Sequence, residues 1–307
     1  MTLNLSGQHV VITGGSEGIG LALAEEFVKA GSNVTIISRA STKLAAAELI
    51  LNEAALKHKS NSFIFTQPAD VTNLFQVQEA VKAAVDEIGP VDILICNAGS
   101  STPGYFHEQG IEVFEQMMRL NYLGVVHTVK AVYEDMIKRN TGHICFISST
   151  MALMGFTGYS AYAASKYAVR GFAECLRNEV QGSGVKVSIA FPPDTITPGF
   201  DVENRVKPIE TSEISEGSKP FPAEQVARYI VKGLESGNSF HLPNPDFGLR
   251  IHAAATKGIV PRNIFLLLPE MLIGLIAPII HFFYASFMDK IATKHASRRF
   301  SKFWNPS

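Results

Sequence analysis

The chain has 307 residues, 46% hydrophobic and 18% charged, with a net charge of −1 and a pI near 6.8. That length suits one large α/β domain with an appendage, since single cores stop growing near roughly 250–300 residues, and the near-neutral balance without a basic-aromatic module excludes a nucleic-acid partner. Cys96, Cys145 and Cys175 lie in apolar runs without CxxC or zinc-finger spacing and read as reduced core residues; the nine histidines are scattered without HExxH, so no metal site is expected.

Met1 to Gly7 carries no charged-then-apolar leader, so neither a signal peptide nor an N-terminal span is expected and the domain is placed on the cytosolic side. His9 to Thr13 is a β-branched run ending at glycines, and Leu21 to Ala30 reads as a helix stopping at Gly31. The pattern then repeats. Strands are predicted at Asn33 to Ser38, Ser62 to Pro68, Val91 to Cys96, His143 to Ser148 and Val185 to Phe191. Helices are predicted at Thr42 to His58, Asn73 to Ile88, Glu112 to Asn140 and Tyr159 to Gln181. Apolar strands alternating with amphipathic helices imply an α/β fold of Rossmann type, a doubly wound parallel sheet covered on both faces. Thr195 to Pro222 turns to Pro, Gly, Ser, Thr and charges and reads as a lid; Ala223 to Ser236 returns to helix, and Ser239 to Phe247 holds one further short strand.

Thr13-Gly14-Gly15-Ser16-Glu17-Gly18-Ile19-Gly20 lies between the first strand and the first helix. Glycines there let backbone N–H groups approach a pyrophosphate that the helix N-terminus favours electrostatically, while Glu17 is expected to point outward. An acid at the end of strand two would hold the ribose diol of NAD, but the chain has Ser38 and Arg39, and a guanidinium forks onto a 2′-phosphate, so NADPH is the expected cofactor. Asp70 and Val71 close strand three where an adenine edge would lie, and Asn97-Ala98-Gly99 ends strand four at the same rim. The expected cofactor contacts are Gly14, Ser16, Gly18, Ile19, Gly20, Arg39, Asp70, Val71, Asn97, Tyr162, Lys166, Pro192, Thr195 and Thr197.

Tyr162 and Lys166 stand four apart in Tyr162-Ala-Ala-Ser-Lys166 and share one helix face, thirteen residues after Ser149. A neighbouring ammonium lowers a phenol's pKa, which makes Tyr162 a general acid-base candidate. Taken singly, Tyr162 is a packing aromatic, Lys166 a solvated charge, Ser149 a turn residue and Asn121 a bent-helix polar group; together with the glycine turn they resemble the classical short-chain dehydrogenase/reductases over roughly residues 7 to 240. That resemblance implies a proton from Tyr162 to a carbonyl oxygen as NADPH delivers hydride, Lys166 on the nicotinamide ribose, Ser149 on the carbonyl oxygen, and Asn121 anchoring a water that relays protons to Lys166.

After strand six the family commonly has Pro-Gly, whereas this chain reads Phe191-Pro-Pro-Asp-Thr-Ile-Thr-Pro-Gly-Phe200. With Asn121-Tyr-Leu-Gly124 and Gly171-Phe-Ala-Glu174, this is similar to the branch that reduces long-chain sphingoid ketones with NADPH, which implies 3-oxosphinganine as substrate and sphinganine as product. Phe200, Ile209 and Ile214 are candidates to cover an acyl chain, and Asp201, Glu203 and Glu210 to meet an ammonium head group, against a plain reading as a solvated loop. The rivals are a hydroxysteroid dehydrogenase, a 3-oxoacyl reductase and a non-catalytic dinucleotide-sensing protein, since a fold alone does not select a substrate.

Ile264 to Phe287 is apolar except for Pro269, Glu270, Gly274, Pro278, His281 and Ser286, longer than the ~20 residues that span a bilayer. Basic residues flank it on both sides, so both ends are expected in the cytosol, with Pro269 and Pro278 bending it into a re-entrant hairpin at the endoplasmic reticulum membrane. The competing reading is a helix buried in a subunit interface, and a homo-oligomer is the expected assembly. The expected organisation is a catalytic domain over 1–262 with its lid at 195–222, a membrane-associated segment over 263–288 and a basic tail over 289–307.

Overall fold

The computed structural model describes residues 3–215, 219–237, 240–246, 248–249, 252, 256 and 267–304. Six parallel strands form one sheet in the order β3-β2-β1-β4-β5-β6. They are β1 (His9–Thr13), β2 (Asn33–Ser38), β3 (Ile64–Pro68), β4 (Ile93–Cys96), β5 (Gly142–Ile147) and β6 (Val185–Ala190). The reversal of direction between β1 and β4 opens a crevice beyond their carboxyl ends, where ligands of doubly wound sheets bind. At the far edge the backbone of Phe240 to Leu242 pairs with Ile189 by hydrogen bonds of 2.7 and 2.9 Å, a single bridge where a seventh strand was expected; Ser239 and Phe247, its expected ends, lie outside the described residues.

The central strands are buried on both faces, as their unbroken β-branched runs require. One face packs on α1 (Gly18–Lys29), α2 (Ser41–His58) and α9 (Ala223–Glu235) through Leu23, Phe27, Ile36, Leu51 and Ile230. The other packs on α3 (Leu74–Ile88), α5 (Gly124–Arg139) and α6 (Ser160–Glu179) through Val77, Val129, Phe146 and Val169. Asn73 caps α3, its side chain accepting from the Gln76 N–H at 3.2 Å. Cys96 and Cys145 are core residues as expected, but Cys175 is exposed, because its position on α6 falls on the face turned from the sheet.

The long helix expected over 112–140 is interrupted. α4 (Ile111–Met117) and α5 are joined through a π turn, Met118–Leu123, that carries Asn121. The expected lid is folded rather than loose: β7 (Thr195–Ile196) pairs in parallel with β8 (Phe221–Pro222), and between them lie α7 (Pro198–Asn204) and α8 (Ile209–Ser215). Residues 216–218 of the lid lie outside the described residues.

α10 (Leu267–Lys294) is a single helix that runs through Pro278, so the hairpin expected from the prolines is not formed there. An interior proline costs a helix one backbone hydrogen bond and a local clash, a loss confined to that turn of a 28-residue helix. Met271–Lys294 is long and apolar enough to cross a membrane, with a mean hydropathy of 1.9. Ala277 and Ile291 are buried against the protein, whereas Leu275, Ile279, Phe282 and Phe283 are exposed, an outward face that fits membrane association. Two short helices follow, α11 (Ala296–Arg299) and α12 (Ser301–Trp304).

Candidate active site

The crevice is a cavity of about 480 Å³ running from the glycine turn to the lid, lined by Gly14, Ser149, Tyr162 and Phe200 among others. Its floor is the turn after β1. Thr13 Oγ1 accepts from the N–H groups of Asn97 (3.1 Å) and Ala98 (3.2 Å), and Asn97 Nδ2 donates to the carbonyls of Thr13 and Gly14, both at 3.1 Å. Asn97 thus reaches the cavity wall with its side chain committed to bracing the turn. Gly14 (φ +66) and Gly18 (φ +57) occupy the left-handed region that disfavours any side chain. At Gly20 a Cβ would stand 2.2 Å from the Gly14 carbonyl oxygen, so its part is close packing of the turn; it does not line the cavity.

α1 begins at Gly18, three residues before the sequence pattern shows it, because glycines hide a helix start from periodicity. Its N-cap, Glu17, makes no side-chain cap hydrogen bond, and its carboxylate pairs with Lys43 at 2.6 Å. The first N–H groups of α1 are therefore without a side-chain partner at a cavity wall formed by Ser16, Gly18 and Ile19, which fits the pyrophosphate of a dinucleotide. Beyond it, Ser16 Oγ donates to Ser38 Oγ at 2.9 Å, and exposed Arg39 stands at the rim. Val71 lines the same end. Asp70 does not: its carboxylate accepts from the Thr72 N–H at 2.9 Å and closes the turn that presents Val71.

At the other end Tyr162 and Lys166 project from one turn of α6, and Ser149 from the end of β5. Ser149 caps the short helix Thr150–Ala152, accepting from the Met151 N–H at 3.2 Å, and is hydrogen-bonded to the Tyr162 phenol. Loss of solvent raises that phenol above the ordinary tyrosine range; the Ser149 bond pulls it down, and the nearby carboxylates of Glu203 and Asp194 push it further up. This is opposite to the lowering expected from the ammonium alone. Lys166 Nζ lies 5.8 Å from the Tyr162 ring centroid and donates to the Ile147 carbonyl at 3.1 Å; burial without a carboxylate partner lowers its pKa to about 8.

Asn121 is fully buried in the π turn and does not line the cavity. Its Nδ2 donates to the Ser100 carbonyl and to Ser165 Oγ, both at 2.9 Å, and its Oδ1 accepts from the Ser100 N–H at 3.0 Å. Both amide donors are used. The side chain pins the loop after β4 to α6, close to Lys166, since a Cβ on Gly99 would meet Asn121 Oδ1 at 2.9 Å and Lys166 Nζ at 3.4 Å.

The lid closes the third wall. Pro192, Thr195 and Thr197 line the cavity; Thr195 Oγ1 donates to the Pro193 carbonyl (2.7 Å) and Thr197 caps α7, accepting from the Phe200 N–H at 3.1 Å. Of the three acids singled out in the lid, Glu203 alone lines the cavity, accepting from the hydroxyls of Tyr159 and Ser101 with Lys207 Nζ 3.8 Å away. Asp201 is exposed. Glu210 is buried away from the cavity, bound by Arg299 at 3.0 Å and the Tyr105 hydroxyl at 2.5 Å. Pattern reading missed Asp194 and Tyr159, which share this wall, and Lys207, which pairs with Glu203; the signal for Asp194 was its place just beyond a sheet strand.

A family model described as short chain dehydrogenase matches residues 8–206, the stretch that carries the glycine turn, Ser149, Tyr162, Lys166 and the first part of the lid. The chain belongs to the short-chain dehydrogenase family. It is 41% identical over 260 residues to a 3-dehydrosphinganine reductase of Danio rerio, covering 84% of this chain and 77% of that one. It is 42% identical over 237 residues to the 3-ketodihydrosphingosine reductase of Bos taurus, covering 77% and 71%. Among solved structures, a short-chain dehydrogenase from Burkholderia phymatum in complex with NAD shares the fold, with a TM-score of 0.72 at 23% identity over 85% of this chain and all (100%) of that one. Actinorhodin polyketide ketoreductase with NADPH matches with a TM-score of 0.70 at 26% identity, over 81% and 99%. As a member of this family the chain is an oxidoreductase that uses a nicotinamide dinucleotide.

Proposed function

We propose that the chain reduces 3-oxosphinganine to sphinganine with NADPH, in the synthesis of sphingolipids. The observation that carries the chemistry is the joining, in one cavity, of an uncapped helix start at one end with Ser149 and Tyr162 at the other. The substrate is supported by the relatives named for that reaction, at 41% and 42% identity over most of the chain.

When bound, NADPH supplies the hydride to the carbonyl carbon. Gly14, Ser16, Gly18, Ile19, Arg39, Val71, Thr195 and Thr197 would hold it, and Arg39 would pair with a 2′-phosphate where NAD would require an acid. Tyr162 gives its proton to the carbonyl oxygen while Ser149 donates a hydrogen bond to the same atom as charge develops. Tyr162 holds its proton at neutral pH and so has one to give to the carbonyl oxygen. Lys166 steadies the phenolate left behind. Because both donors of the Asn121 amide are engaged, its part is to set the loop after β4 beside Lys166.

The enzyme works at the cytosolic face of the endoplasmic reticulum membrane, held there by α10. That helix lies along the catalytic domain: Tyr284 packs on Phe156 of the cavity wall at 6.3 Å, and Lys294 pairs with Glu213 of the lid at 2.7 Å. An apolar helix fixed flat on the domain suits insertion into one leaflet, beside the opening through which a long-chain ketone must pass.

The test is NADPH oxidation by purified protein with 3-oxosphinganine, repeated with NADH, with Arg39→Ala and with Tyr162→Phe. Turnover should be lost in Tyr162→Phe, and Arg39→Ala should lower the preference for NADPH about tenfold or more, the value of one charge-assisted bond near 1.4 kcal/mol. Rapid turnover of a steroid with none of the sphingoid ketone would reject the substrate, and equal rates with NADH would reject the phosphate pairing.

A further inference from the structure

We propose that Asp194 is the specificity-determining residue for the substrate amine: it receives the ammonium on the carbon next to the reacting carbonyl and selects α-amino ketones over plain ketones. This rests on the substrate reading above and deepens it.

The argument is one of place and charge. Asp194 follows β6 through Pro192-Pro193, and its carbonyl is fixed by the Phe221 N–H of β8 at 2.9 Å, which sets where its side chain leaves the wall. It lines the same cavity as Ser149 and Tyr162. Two carboxylates, Asp194 and Glu203, face this wall, and Lys207 lies near both but at salt-bridge distance only from Glu203. Lys207 Nζ stands 3.8 Å from Glu203 and 4.5 Å from the Phe200 ring centroid, while Glu203 further accepts from Tyr159 and Ser101. Lys166 is engaged by the Ile147 carbonyl at 3.1 Å. Among the described residues no side chain donates a hydrogen bond to the Asp194 carboxylate, and its pKa is raised by desolvation, with Lys207 opposing and Glu203 reinforcing that rise. Among the described residues such a carboxylate has no salt-bridge partner of its own.

For a neutral ketone that arrangement works against the reaction. Proton donation leaves a phenolate on Tyr162, and the Asp194 and Glu203 charges already disfavour it. An ammonium beside the carbonyl reverses the sign of the local field. Covalent geometry places the amine nitrogen of an α-amino ketone about 2.5 Å from the carbonyl carbon, so with the oxygen on Ser149 and Tyr162 the ammonium must meet a wall of this same cavity. Glu203 is held by Tyr159, Ser101 and Lys207, whereas among the described residues Asp194 has no side-chain donor and no salt bridge.

The experiment compares kcat/KM for 3-oxosphinganine and for the same ketone lacking its amino group, in the wild type and in Asp194→Asn. The wild type should favour the amino ketone, and Asp194→Asn should cut that preference about tenfold or more, chiefly through KM, as expected for loss of a charge-assisted contact. A preference unchanged in the variant, or equal use of both ketones by the wild type, overturns the proposal while leaving the ketoreductase reading in place. Failure of the wild type on both ketones rejects that reading instead, and the amine assignment with it. Product inhibition of the unaltered enzyme gives a measurement independent of how the variant folds: sphinganine should inhibit at concentrations at least about tenfold below the corresponding diol without the amine, and equal inhibition by the two refutes the assignment.

Discussion

Replacing Glu210 by glutamine should release the C-terminal segment from the lid while leaving the catalytic domain folded. Glu210 is fully buried, with Arg299 Nη1 at 3.0 Å and the Tyr105 hydroxyl at 2.5 Å, and the Arg299 side chain keeps only 16% exposure. Removing one partner of a buried ion pair costs about 3–5 kcal/mol, because the other charge stays desolvated; the residual exposure of Arg299 reduces this to about 2–3 kcal/mol. The loss is local, since neither residue belongs to the two clusters that cover the sheet. Amide exchange across 296–304 should accelerate by a factor of about 30–150, the equivalent of that energy, with little change in the sheet. Tyr105 reports on the same pair. Its phenol is pushed up to about 12 by burial and then by Glu210, so ultraviolet titration of Glu210→Gln should find it closer to the ordinary tyrosine value. Exchange within about threefold of wild type and an unmoved Tyr105 titration would refute the clamp.

His143 provides a pH prediction. Its ring is buried between strands with Nε2 2.7 Å from Ser188 Oγ, and burial lowers its pKa from 6.5 to about 4, so on acidification the unfolded chain binds a proton before the folded one. Stability present above pH 6.5 is therefore lost toward pH 4, about 2 kcal/mol of it between pH 7 and 5, and urea unfolding of His143→Asn should show a flatter pH dependence in that window. For the membrane, Ile279→Asp with Phe283→Asp on the exposed face of α10 should abolish co-sedimentation with neutral phospholipid vesicles, each charge costing about 2.5–3.5 kcal/mol in hydrocarbon. Wild-type protein that ignores vesicles and forms a stable dimer broken by the same changes would assign that face to a second copy of the chain.

What the residues alone determine here is whatever depends on local order. Unbroken apolar runs such as Val10 to Ile12 and Ile93 to Ile95 read as strands buried on both faces, and their alternation with amphipathic helices leaves little choice but a parallel sheet. The glycine turn and the Tyr162–Lys166 spacing are equally local, since left-handed backbone and one turn of helix are properties of a few neighbouring residues. Which side chains remain free to meet a ligand is not local. Asn97, Asp70 and Asn121 were marked for a ligand from position, yet their polar atoms are consumed by Gly14, Thr72 and Ser100, and only the packed arrangement shows it. The same holds for the lid acids, where Lys207 and Arg299 reach Glu203 and Glu210 and leave Asp194 with no salt bridge among the described residues. Pro278 within an unbroken helix and the exposed Cys175 belong to this group as well. Strands and turns follow from steric preferences carried by each residue, whereas the availability of a charge or an amide depends on what distant segments bring against it, and that is decided when the chain is folded.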